Sequence, residues 1–256
     1  MHSFSFAEGE VLIINKPLRW TSFDVVGKIR QTIKLPKLKV GHAGTLDPLA
    51  TGLLIVCTGK FTKTIDSYQA QEKTYEGTFV LGGSTPTFDL ESEINAVFET
   101  GHITASAIKA AAHKLTGEIE QLSPPFSALR INGERAYEVA RRGEVPLLKA
   151  RRILVRSFEV DATRFPEIDF KIVCSKGTYV RSLVSQIGLD LRSGAYLSRL
   201  SRTAIGGFTL GNAWEMDALI NVIREWRGLA APLPAYSRKE HTLKGFHEKA
   251  GSGEPS

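Results

Sequence analysis

Cysteine is nearly absent: Cys57 and Cys174 are the only two in 256 residues, and both sit inside apolar runs. That argues against a disulfide framework and makes a reducing compartment the default. Long apolar runs are missing as well. No stretch approaches the ~20 residues needed to cross a bilayer, and the opening MHSFSFAEGEVLIINKP has no basic region followed by an apolar core. The expected location is therefore the cytoplasm. Cofactor signatures fail one by one. No G-x-G-x-x-G follows a strand, and Gly52 to Lys60 is no phosphate loop, because its first glycine lies too far upstream and Phe61 stands where Ser or Thr should hold magnesium. Ser106-Ala107-Ile108-Lys109 matches S-x-x-K with neither S-D-N nor K-T-G downstream. The histidines His2, His42, His102, His113, His241 and His247 form no i, i+4 pair and have no Cys-x-x-Cys partner. No cofactor and no metal are expected, so any chemistry must run on side chains alone.

What is present is a chain with 42% hydrophobic residues, enough to bury a full core as one large domain or a domain with a small appendage. The formal net charge is +6, with a pI near 9.3, which points to a polyanionic partner. Most of that excess lies in one window. Arg130, Arg135, Arg141, Arg142, Lys149, Arg151, Arg152 and Arg156 face only Glu134, Glu138 and Glu144. A second basic run comprises Lys28, Arg30, Lys34, Lys37 and Lys39.

Short strands alternate with helices. Glu10 to Asn15, Gly52 to Thr58, Lys73 to Leu81, Val145 to Val160 and Ile168 to Cys174 read as strands, the last two paired. Thr21-Ser22-Phe23-Asp24 resembles a capping box ahead of a helix with Val25, Val26, Ile29 and Ile33 on one face. Thr104 to Leu115, Glu134 to Arg142, Thr178 to Leu191 and Trp214 to Trp226 read as helices. Without regular βαβ spacing, this mixture predicts an α+β fold with a mixed, largely antiparallel sheet flanked by helices. From Ala235 onward the chain is polar and reads as a disordered tail.

The stretch GHAGTLDPLATGLLIV, Gly41 to Val56, begins with loop punctuation and runs into a buried strand, with the lone carboxylate Asp47 at the junction. Together with KTYEGTFVLGGSTPTFD, SPPFSALRINGERAYEVARRGE, CSKGTYVRSLVSQIG and LSRTAIGGF, it resembles in order and spacing the TruB-type tRNA pseudouridine synthases, over roughly residues 8 to 212. The resemblance implies isomerisation of the T-arm loop uridine, position 55 in tRNA numbering, to pseudouridine. It implies a catalytic domain over residues 1 to 232 with a basic RNA-binding insertion at about 127 to 152; the C-terminus departs from the family, since the 48 residues after Phe208, with one helix and a polar tail over 233 to 256, are not expected to hold the PUA domain that many members carry. It also implies a tRNA T-arm as partner, no membrane, no obligatory protein partner and a monomer.

The chemistry breaks the N1 to C1′ bond, turns the uracil and rejoins it through C5. Asp47 suits either a covalent attack on ribose or base, or removal of the ribose 2′ proton. Arg181, in GTYVRS at the start of a helix, is the candidate partner that keeps Asp47 ionised through paired hydrogen bonds. By resemblance, Tyr75 stacks on the flipped base and helps remove the C5 proton, while Leu200 packs from the other side. His42 would fill the gap left by the flipped uridine. Lys16 and Pro17, in NKPLRWTS, would brace the active-site loop. The arginines of the insertion, Arg130, Arg141, Arg142, Arg151 and Arg152, would hold phosphates, which position the RNA without selecting the base. The chain departs from the family pattern at Thr85-Pro86-Thr87-Phe88-Asp89, where T-D-T-G-D is more usual, at Arg130 for a common lysine, and at Leu200-Ser201-Arg202, which lacks paired arginines. None of these is expected to touch Asp47. A stand-alone synthase, a guide-RNA-dependent relative and a non-catalytic RNA-folding module are the three function classes; the basic insertion and the missing PUA domain argue against the second, and intact Asp47, Tyr75 and Arg181 against the third.

Overall fold

The structure, a computed structural model, describes residues 4–126, 130–131, 134–142, 144 and 150–229. In chain order its elements are β1 (Val11–Lys16), α1 (Ser22–Ile33), β2 (Val40–His42), β3 (Ala50–Thr58), α2 (Ile65–Ala70), β4 (Lys73–Leu81), β5 (Gly83–Ser84), β6 (Ala96–Val97), α3 (Ala105–Lys114), β7 (Gly117–Leu122), β8 (Arg130–Ile131), β9 (Glu134–Arg135), α4 (Ala136–Arg141), β10 (Ala150–Asp161), β11 (Glu167–Cys174), α5 (Val180–Asp190), β12 (Ala195–Ile205), β13 (Phe208–Thr209), β14 (Trp214–Glu215) and α6 (Met216–Trp226). Ten strands form one sheet in the order β14-β1-β3-β12-β4-β11-β10-β7, with β13 on β12 and β2 on β3. Among the described strands only β1 with β14 and β3 with β12 run parallel. The sheet is mixed and largely antiparallel, flanked by helices, as the sequence predicts.

Local chemistry accounts for the elements. Thr21 Oγ1 accepts the Asp24 amide and Asp24 accepts the Thr21 amide, a reciprocal cap for α1, whose Val25, Val26, Ile29 and Ile33 are all buried. Those residues pack with β1 and with Leu219, Ile220 and Ile223 of α6. On β4, Tyr75, Phe79 and Leu81 share the buried face and join α3 and α5 in the larger core. The active-site end of the sheet depends on Gly52. At φ +102° it lets β3 approach β12 so closely that a side chain there would lie 2.4 Å from the Arg202 carbonyl.

Several boundaries differ from the sequence reading. Trp214 and Glu215 form an edge strand before α6 rather than its first turn. Besides the short β2, β5, β6, β8, β9 and β13, two longer strands went unread: β7, a polar GEIEQL with only Gln121 buried, and β12, whose apolar alternation is broken by Arg199 and Arg202. Residues 145–149 of the expected strand, and the expected tail, lie outside the described residues. Among the described residues no helix is long and apolar enough to cross a membrane.

Candidate active site

Asp47 sits in the connection between β2 and β3, and that connection is clamped from behind. Ser22 Oγ accepts the Leu46 amide at 2.9 Å, the Arg19 amide donates to the Pro48 carbonyl at 2.7 Å, and the Ala50 amide donates back to the Asp47 carbonyl at 3.1 Å. Lys16 is wholly buried beneath it. Its ammonium donates to the carbonyls of Trp20 at 2.6 Å, Pro17 at 2.9 Å and Pro48 at 3.4 Å. Burial lowers its pKa to about 8, against the upward pull of the Asp47 charge. The backbone on both sides of Asp47 is therefore fixed, while the side chain itself remains 35% exposed.

The side chain meets Arg181, on the first turn of α5. Arg181 Nε lies 2.9 Å from Asp47 Oδ2, and the guanidinium is only 4% exposed. A second carboxylate, Asp89, places Oδ2 3.5 Å from the same nitrogen. The other two nitrogens are used elsewhere: Nη1 donates to the Thr87 carbonyl at 2.8 Å and Nη2 to the Phe126 carbonyl at 3.2 Å. The paired, two-pronged contact expected from the sequence is not formed. Asp47 is held by charge at one nitrogen, and the Nε hydrogen is not well directed at either carboxylate. The geometric reason is that the fork is already spent on two backbone carbonyls.

The pair opens on a cavity of about 660 Å³ that is also lined by Tyr75, Leu200, Lys73, Arg202, Arg151 and Arg152. Tyr75 and Leu200 are buried, and the β4–β12 register brings their two strands together, with Leu200 opposite Gly77 and Arg202 opposite Tyr75. Burial pushes the Tyr75 phenol above its ordinary pKa, and the Arg202 charge opposes that rise. Arg202 is 1% exposed and donates to the Leu53 carbonyl at 2.8 Å and the Gly44 carbonyl at 3.1 Å. Lys73 is 5% exposed, its ammonium on the Gln69 and Gln71 carbonyls; burial, with Arg202 adding to it, lowers its pKa to about 8. Among the described residues no three His, Cys, Asp or Glu side chains are grouped to hold a metal ion.

Residues 30–180 match the TruB family pseudouridylate synthase (N terminal domain). The chain belongs to the TruB family. It is 48% identical over 218 residues to the tRNA pseudouridine synthase B of Phocaeicola vulgatus, covering 84% of this chain and 93% of that protein. To the tRNA pseudouridine synthase B of Chlorobaculum tepidum it is 46% identical over 219 residues, covering 84% and 91%. Among solved structures, a chain of "Crystal Structure of a Cbf5-Nop10-Gar1 Complex" superposes with a TM-score of 0.66 at 27% identity, over 87% of this chain and 56% of that one.

The residues singled out by the TruB resemblance fall in different places. Asp47, Tyr75, Arg181, Leu200, Arg151 and Arg152 line one cavity. Lys16 and the Pro17 carbonyl lie under the Asp47 loop. His42 does not line the cavity; it ends β2 rather than lying on a loop, and its ring stands edge-on to Phe23, centroids 5.4 Å apart. Burial first, then the Arg202 charge, holds its imidazole below the ordinary pKa against a weaker pull from the Gly44 backbone, and its Nδ1 is buried without a partner. Arg142 is exposed and already paired with Glu134 at 3.0 Å and Glu144 at 2.9 Å, so its charge is partly spent. The side chains of Arg130 and Arg141 lie outside the described residues.

Three site residues were missed: Asp89, Lys73 and Arg202. Asp89 and Arg202 stand in the segments where the chain departs from the TruB pattern, and Lys73 stands two residues before Tyr75 on the same strand face. Among the described residues the departures make no hydrogen bond or ion pair with Asp47, but the Thr85–Asp89 segment reaches its partner, supplying both a carbonyl and a carboxylate to Arg181. Phe88 in that segment has φ +64°, where the usual motif carries glycine.

Proposed function

We propose that this chain is a stand-alone tRNA pseudouridine synthase that isomerises the T-arm loop uridine, position 55 in tRNA numbering. The observation that carries the reading is the Asp47–Arg181 contact at 2.9 Å, opening on a cavity of about 660 Å³. The uridine flips out of its loop into that cavity, and Tyr75 and Leu200 take the uracil between them. Asp47, held beside the Arg181 guanidinium, either attacks covalently or removes the ribose 2′ proton. The N1 to C1′ bond breaks, the uracil turns, and C5 joins C1′ as the bond to Asp47 is released or the 2′ proton returns to the ribose. The C5 proton leaves, relayed by the Tyr75 phenol in the same cavity, and N1 ends protonated. Uridine and pseudouridine are isomers, so no redox partner or water is consumed. Lys16 and Pro17 hold the Asp47 loop in register, and His42, neutral, takes the place vacated by the uridine.

Autonomy is supported by similarity. The chain is 48% identical to a tRNA pseudouridine synthase B and only 27% identical to the Cbf5 chain of a multiprotein complex. Purified protein should be incubated with an unmodified tRNA transcript, with no other factor, and pseudouridine mapped by carbodiimide-dependent reverse-transcription stops. One new stop at the T-loop uridine is the expected result. No stop, or a stop only when a guide RNA is added, overturns the reading.

A further inference from the structure

An exposed ring beside the Asp47 loop has no part in the chemistry described so far. Phe23 stands on the first turn of α1 and is 66% exposed. Its neighbours place it at the lip of the cavity. Ser22, one residue before it, holds the Leu46 amide, and Leu46 lines the cavity. The ring itself meets His42 edge-on, and His42 lies two residues before Gly44, which lines the same cavity. A lone exposed phenylalanine is ordinary on a protein surface. Three further features single this one out.

Gly27 is the first. It lies at i+4 from Phe23, so the two share a face of α1, and glycine inside a helix is unfavourable relative to alanine. Packing does not require it, because a Cβ at Gly27 would meet nothing within 4 Å. What the glycine provides is bare backbone next to an exposed ring. Charge is the second feature. Arg30, at i+7 from Phe23, and Lys34, which caps the helix, are exposed, and the connection that follows carries exposed Lys37 and Lys39. A polyanion is drawn to such a surface. The third is rigidity: the reciprocal Thr21–Asp24 cap brackets Phe23 in sequence and the His42 ring abuts it, so a partner that stacks on it need not first order it.

Building on the RNA-isomerase reading, we propose that Phe23 and Gly27 form a stacking surface for an unpaired base of the RNA loop, one other than the target uridine. The ring takes one face of that base, and the bare backbone at Gly27 lets the base lie close against the helix. Every base has a π-face, so the contact is tolerant of which base is offered. It supplies affinity and position rather than a choice of sequence.

The test uses T-arm stem-loop RNAs with one abasic loop position at a time, the target uridine excepted, because an abasic site removes a base and keeps its phosphate. Affinities are measured by filter binding for the wild-type protein and for Phe23→Ala, Phe23→Trp and Gly27→Leu. One abasic position should weaken wild-type binding by about tenfold, and Phe23→Ala should weaken binding to the intact RNA by a similar factor. The two changes together should cost no more than either alone. Phe23→Trp should stay within about twofold of wild type, and Gly27→Leu should lose about tenfold in affinity although its urea midpoint does not fall. The salt dependence of Phe23→Ala should match that of the wild type, since no phosphate contact is lost. Wild-type affinity in Phe23→Ala, losses that multiply at every abasic position, or a shallower salt slope overturns the proposal. So does a wild-type dimer in sedimentation that Phe23→Ala abolishes, which would make the ring a contact between copies. Indifference of the wild type to every abasic position overturns it with no variant at all. Turnover of the unmodified stem-loop by the wild type reports separately on the RNA-isomerase reading.

Discussion

Asp89 and Arg181 are buried against each other, 5% and 4% exposed, with Oδ2 3.5 Å from Nε. Asp89 is the fixed member. Its Oδ1 accepts the Glu91 amide at 3.0 Å, and the neighbouring Phe88 carbonyl accepts the Leu197 amide of β12 at 2.9 Å. Asp47, 2.9 Å from the same nitrogen, is the more exposed member at 35%. One guanidinium is thus shared by a carboxylate locked into the fold and a carboxylate lining the cavity, and the first limits how strongly the second is gripped.

Asp89→Asn removes that balance while keeping the shape. Arg181 would then be left with Asp47 as its sole counter-charge, drawing Asp47 away from the ribose and quenching its reactivity. The expected outcome is a ~10- to 100-fold fall in kcat with RNA affinity nearly unchanged. Single-turnover rates alongside binding measurements check it. An unaltered kcat would reduce Asp89 to a structural residue.

Asp47→Asn keeps nearly the same volume and leaves the loop clamps of Ser22, Arg19 and Lys16 intact, since those hold backbone atoms. Fold and RNA binding should survive while turnover drops below ~1% of wild type, the scale of loss when a reacting group is removed. Pseudouridine formation above that level would show that another group does the work.

Arg181→Lys is a test of the three-way hold rather than of charge. A single ammonium cannot reach Asp47, the Thr87 carbonyl and the Phe126 carbonyl in the directions the guanidinium does. Turnover should fall at least ~10-fold with little change in RNA affinity. A full-rate Lys variant would mean that Asp47 needs only a nearby positive charge.

Much of this was legible in the sequence because it rests on local rules. The α1 cap is written in Thr21 and Asp24, the core face of β4 in the alternation of Tyr75, Phe79 and Leu81, and Asp47 in its junction of glycines and a buried strand. What was not legible depends on residues far apart in sequence. Nothing local says that Arg202 would fold over Gly52 to the Gly44 carbonyl, or that Asp89 would share Arg181 with Asp47. The strand β12 was hidden because its inward positions include a buried arginine, which reads as surface. The two-pronged Asp47–Arg181 contact failed for the same reason: competing acceptors at Thr87 and Phe126 are invisible until the chain is folded.

The last prediction concerns pH and stability, through Lys73. Burial, reinforced by Arg202, lowers its folded-state pKa to about 8, whereas in the unfolded chain it titrates near the ordinary ~10.4. Between those values the unfolded chain binds the proton that the folded protein has released, so folding becomes more favourable as pH rises through that window. Wild-type stability should therefore gain on Lys73→Met by about 1 kcal/mol between pH 8 and pH 9. The comparison must be a difference. Cys57 and Cys174, both pushed up to about 11 by burial, act with the opposite sign over an overlapping range, because their thiols ionise first in the unfolded chain. The Cys57 effect is common to both proteins and cancels, whereas that of Cys174, whose thiol feels the Lys73 charge, cancels only in part. Lys16, also lowered to about 8, should behave in the same way in Lys16→Met. Urea unfolding at several pH values, without RNA, measures the gap. A difference that stays flat from pH 8 to pH 9 would show that Lys73 keeps its proton in the folded protein, and that its carbonyl contacts with Gln69 and Gln71 stabilise the ammonium more than burial disfavours it.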